Sequence, residues 1–222
     1  MMRKIFLGKT DRSWMVFLSL ILLFLTIIYA FVYELSKSMG VRLEIFTRDM
    51  FAVAEVPVYT GIISNLGVSL WMATACVCAF SCFAGSRAKE TGSLRGMLLF
   101  AAAFNFILMI DDFFMLHESI FPLELGVPEK YIFLVYILVA FFFLVLYWRQ
   151  FLNSRIWILV IAFTGFALSI LIDSSYLISE TLDWRIVVFE NYFKLVGVGS
   201  WFIYFCLRGR EYVRHGSHVA RD

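Results

Sequence analysis

The chain has 222 residues, 62% of them apolar, 18% aromatic and 16% charged, with a formal charge of +2. That apolar share lies far above the soluble average and leaves no room for a soluble enzyme fold. The small net charge gives no case for nucleic acid as a partner. The expected class is an all-α integral membrane protein forming one polytopic domain over residues 1–222.

Hydrocarbon about 30 Å thick is crossed by about 20 helical residues, and six apolar runs of that order follow one another. Arg3, Lys4, Lys9 and Arg12 precede the first predicted span, about 14–35, whose apolar core is too long for a cleaved signal. Residues 36–56 place Glu44, Arg48 and Glu55 on one helical face and Phe46, Met50 and Val53 on another. This predicts a short interfacial helix on the outer surface. A second span, about 57–84, opens on Pro57, in keeping with proline in a first helical turn. The third to sixth are predicted at about 96–116, 131–148, 156–179 and 186–207. Cys76, Cys78, Cys82 and Cys206 fall within apolar runs and read as small apolar side chains, not as a disulfide framework.

With six spans, thirteen Lys and Arg residues fall on the side of both termini and five on the other. Cytoplasmic loops carry the basic excess, so both termini are predicted cytoplasmic. The pattern resembles six-span bacterial membrane proteins, and the expected location is the bacterial inner (plasma) membrane.

Ionisable residues interrupt the apolar runs in one layer. Counting about 1.5 Å of rise per residue, Asp111 and Asp112 of the third span, Asp173 of the fifth, and Glu190 and Lys194 of the sixth all lie in the outer half of the membrane. His117 and Glu118 stand at the rim. A charge near the bilayer centre costs about 2.5–3.5 kcal/mol, so these groups are expected to face one another, a hydrated cavity or a cation. Glu190 and Lys194, four apart, are placed to pair. Asp111 and Glu118 share one stripe, whereas Asp112 points about 100° away, beside Asn105, and His117 points opposite Glu118. The four converge only where the helix end unwinds or two partners divide them. Thr26, Tyr29, Tyr33, Asn65 and Ser69 add polar groups from the first two spans. The cavity is expected between spans one, two, three, five and six, with the fourth a peripheral packing helix.

Carboxylates with one histidine offer hard oxygen and borderline nitrogen ligands, suited to zinc, manganese or iron. A multi-histidine centre is excluded, because His117 is the one histidine in or beside a span. The leading expectation takes Asp111, His117, Glu118 and Asp173 as ligands of a divalent metal. Glu190 then serves as general base or ligand, Lys194 meets developing negative charge, and Asp112 is a further catalytic group. The chemistry would be hydrolysis or transfer on a lipid-like substrate at the outer leaflet. A second expectation is proton- or cation-coupled transport through the same residues, against which stand the apolar inner halves of the helices. A third is a structural polar network, in which Lys194 pairs with Glu190 or with Asp111 or Asp112 and His117 with Glu118 or lipid headgroups, or a lipid-binding protein without chemistry. A chromophore on Lys194, with Asp111 or Asp112 as counter-ion, is also compatible with the spacing. Membrane lipids are the expected partners, and homo-oligomerisation is left open.

Overall fold

The computed structural model describes residues 9–48, 50–57, 59–85, 92–176 and 184–219. They form helices joined by short turns, with no strand among the described residues. The chain divides into two compact units, one ending at Thr60 and the other beginning at Gly61.

The first unit holds α1 (Lys9–Met39), α2 (Glu44–Thr47) and α3 (Met50–Ala54). The apolar window of α1 has none of its residues buried, as suits a helix whose solvent is lipid. Gly40, at φ 63°, ends it. The interfacial helix expected over 36–56 is broken in two. Arg48 is extended and Glu55 adopts φ 55°, and helices of four and five residues are too short to sustain themselves.

The second unit holds α4 (Ile62–Ala84), α5 (Gly92–Phe114), a π-helix (Leu116–Glu124), α6 (Glu129–Leu146), α7 (Trp148–Leu152), α8 (Ile156–Tyr176) and α9 (Trp184–Val219). Pro57 is not in a first helical turn. Gly61, at φ 68°, turns the chain and α4 starts only at Ile62. The polar stretch after Leu207, beyond the predicted sixth span, continues α9 to Val219.

Among the described residues, four helices are long and apolar enough to cross a membrane: Leu18–Met39, Ile62–Ala84, Gly92–Phe114 and Glu129–Leu146. Ile156–Ile172 is apolar but shorter. Charged residues such as Glu190, Lys194 and Arg208 interrupt the apolar character of α9.

Within this unit α8 packs along α9, and α4 packs along both α5 and α9. Glycine makes the α8 crossing close: a Cβ on Gly165 would stand 2.8 Å from the Gly197 backbone nitrogen. Small residues let helices approach in this way. Gly199, two residues on from Gly197, faces open space instead. Below the site an aromatic core of Phe143, Trp201 and Phe205 is almost fully buried. Helix α6 behaves differently. It makes its closest backbone approaches at its two ends, to the π-helix and to α7, and a cavity separates its middle from α8.

A candidate acid–histidine site in an amphipathic cavity

Helix α5 delivers Asp111 and Asp112 at adjacent positions, so their side chains leave the helix about 100° apart. Each finds different partners. Asp112 turns to α4 and α9, where its Oδ2 accepts from Trp71 Nε1 at 3.1 Å and its Oδ1 accepts from Lys194 Nζ at 2.8 Å. Asp111 turns to the π-helix. Its Oδ1 accepts the backbone N–H of His117 at 3.1 Å, and its Oδ2 lies 2.5 Å from His117 Nδ1.

What brings His117 back is a break in the helix. Met115 adopts the left-handed region, φ 51°, ψ 43°, and the chain resumes as a π-helix. An α-helix continued through residue 115 would have pointed His117 elsewhere. Unwinding and division between partners therefore both occur, which resolves the phase conflict posed by the sequence.

With Nδ1 against a carboxylate, the imidazole N–H sits on that nitrogen and Nε2 faces the cavity. Glu118 lies 3.5 Å and Glu129 4.0 Å from Nε2. His117 and Glu118 follow the last residue of the α5 span, Phe114. Burial disfavours the charged imidazole, but hydrogen bonds to Asp111 and Glu118 outweigh it and raise the His117 pKa to about 10. Its hydrogen bond to His117 lowers the Glu118 pKa in turn.

Ligand atoms of Asp111, Asp112 and His117 all lie within 4.8 Å of one another, so this group can hold a metal ion. Two oxygens and one imidazole nitrogen suit zinc, manganese or iron. Asp111 and His117 are buried and Asp112 nearly so, an environment in which uncompensated carboxylates are expensive.

These residues stand at one end of a cavity of about 710 Å³, within the range of small-molecule sites, about 300–1,000 Å³. Its polar end also includes Glu118, Glu129, Glu190 and Lys194, and its long apolar arm runs between Ala140, Phe141 and Leu144 of α6 and Phe163 and Phe166 of α8. The Tyr136 hydroxyl reaches Asp111 from the α6 wall.

Several expectations change here. Lys194 pairs with Asp112 rather than directly with Glu190, its neighbour four residues back, although Glu190 lines the cavity close by. Asn105, on the stripe of Asp112, likewise faces α9, where it accepts from Trp201 Nε1 at 3.0 Å, and it donates to the Ala101 carbonyl. Helix α6 is a cavity wall, not a peripheral helix. Asn65 and Ser69 are exposed, and Ser69 bonds the Asn65 carbonyl. Asp173 belongs to α8, but its side chain lies outside the described residues. Sequence reasoning missed Glu129 and Trp71, and left Tyr136 on a helix it read as peripheral. The available signal for Glu129 was an acid one residue after Pro128, at the mouth of an apolar run.

Fold and site define a helical protein of membrane type whose buried Asp–Asp–His group can bind a metal ion. The chain belongs to the family described as Domain of unknown function (DUF8692), whose model matches residues 15–207. No curated protein and no solved structure matches it.

Proposed function

We propose that this protein is a metal-dependent membrane enzyme that hydrolyses or transfers a bond of a lipid-like substrate. The observation that carries this reading is the placing of three metal-ligand side chains at the polar end of an otherwise apolar cavity. A divalent cation there supplies Lewis-acid polarisation and a water of lowered pKa. Asp111, Asp112 and His117 are the proposed holders, with Asp111 also fixing the His117 ring as carboxylates do beside metal-bound histidines. Lys194 meets negative charge developing on the substrate, and Glu190 or Glu118 accepts a proton. Asp173 remains a proposed further ligand. The reading takes the protein to have six spans, α8 and α9 being the last two, with both termini cytoplasmic and the site in the outer half of a bacterial inner membrane.

The direct test is metal content of the detergent-purified protein by elemental mass spectrometry, wild type against Asp111→Asn and His117→Ala. Stoichiometric zinc, manganese or iron that falls in both variants supports the proposal, and a folded, metal-free wild type sinks it.

A second reading, a structural network in a lipid-binding protein, draws on the pairing of Asp112. Its two oxygens tie α4 and α9 to α5 without any ion. It predicts a metal-free protein that loses stability, and nothing else, when Asp112 or Lys194 is replaced.

A further inference from the structure

The cavity is amphipathic along its length, and that length runs with the helices. From Glu129 at the polar end to Leu144 in the apolar arm, α6 advances about 22 Å at about 1.5 Å per residue. A long apolar arm ending in paired charges matches a hydrocarbon chain and its headgroup better than a compact solute.

The flank of the arm shows how such a chain gets in. Ile137 and Phe141 of α6 are 49% and 64% exposed, Ile170 of α8 is 36% exposed, and Ala167 is exposed as well, yet all four line the cavity. They are therefore rim residues, shared between the interior and the outer surface. Helices α6 and α8 do not pack closely against each other, so the rim is a gap between two apolar helices. On α6 it is continuous with Leu134, Leu138 and Phe142, exposed apolar residues of a candidate span. Apolar surface of this kind on a membrane-crossing helix faces acyl chains, not water.

We infer that the gap between α6 and α8 is a lateral portal through which one acyl chain of a bilayer lipid enters the cavity, its headgroup coming to rest at the Asp111–His117 and Asp112–Lys194 pairs. This deepens the proposed function by naming the substrate class and rests on it for the chemistry, while the binding itself requires no metal. A soluble apolar molecule entering from water would have to pass the charged end, where Glu118, Glu129 and Glu190 line the way. A lipid chain entering sideways crosses no polar group.

The test uses the wild-type protein in vesicles of phosphatidylcholine carrying a diazirine midway along one acyl chain, with labelled residues mapped by mass spectrometry. Labelling is expected on the inner walls at Phe104, Leu108 and Phe163, besides the outward face of α6. In Ala140→Phe, which fills the arm, inner-wall labelling should fall to background while labelling of Leu134 and Leu138 persists. Labelling confined to outward residues in the wild type would overturn the portal. So would inner walls labelled by a water-soluble diazirine alkanol but not by the lipid. The wild-type map decides by itself if the variant fails to fold. Elemental analysis of the same sample separates the outcomes: inner-wall labelling of a metal-free protein keeps the portal and removes the enzyme, and metal without inner-wall labelling does the reverse.

Discussion

Asp111 holds His117 with both carboxylate oxygens, one on the backbone N–H and one on the ring. One side chain thereby fixes the histidine's position, its tautomer and the direction in which Nε2 faces. Because the two residues flank the left-handed Met115, the same carboxylate also closes the break between α5 and the π-helix.

The pairing makes stability depend on pH. The His117 pKa stands at about 10 in the folded protein, raised from 6.5. A raised pKa means stability that is complete below about 6.5 and is lost as pH rises through about 10. Thermal melting of metal-free protein in detergent should therefore fall across that window, and His117→Asn should flatten the fall. A wild type whose melting is flat from pH 6.5 to 10 would refute the pairing. Metal uptake at the cluster must expel the imidazole proton, so it should strengthen with pH over the same range.

Asp112 and Lys194 form the second pair. Lys194→Met leaves Asp112 charged in an apolar wall and should destabilise the protein. The loss should be below the roughly 3–5 kcal/mol typical of breaking a fully buried pair, because the Lys194 side chain is 31% exposed. Adding Asp112→Asn should recover much of it. Equal losses in the single and double variants, read from melting curves, would show that the pair is not coupled.

Gly165 meets the α9 backbone where a Cβ would clash. Gly165→Val should separate α8 from α9 and destabilise by about 1–3 kcal/mol, as overpacking does. Gly199→Ala, with open space around it, should lose little. Melting temperatures of the two variants give the comparison.

Met115 occupies a backbone region costly to residues with a Cβ. Met115→Gly should hold or raise stability, by up to about 1 kcal/mol, and keep metal binding, whereas Met115→Val should weaken both. A Met115→Gly protein that loses metal while remaining folded would show that the methionine side chain itself supports the site.

Much of this was legible beforehand, and the misses are informative. Asp111, Asp112 and His117 stood out because charge in an apolar run is conspicuous. Their partners were harder to read. Glu190 and Lys194 satisfy the four-residue rule for a helical pair, yet Asp112 from α5 captures Lys194. Trp71 looked like any apolar residue of a span, because only its indole N–H is polar and only the fold aims that at Asp112.

By itself, the sequence determined that the chain is helical and of membrane type, and which segment carries the concentrated charge, because hydropathy and helical rise are local properties. Tertiary structure alone decided that the helix breaks at Met115, that α6 walls a cavity, and which cation meets which carboxylate. Those outcomes depend on how helices distant in sequence approach one another. Along one helix many partners have equivalent spacing, and only packing makes one of them near.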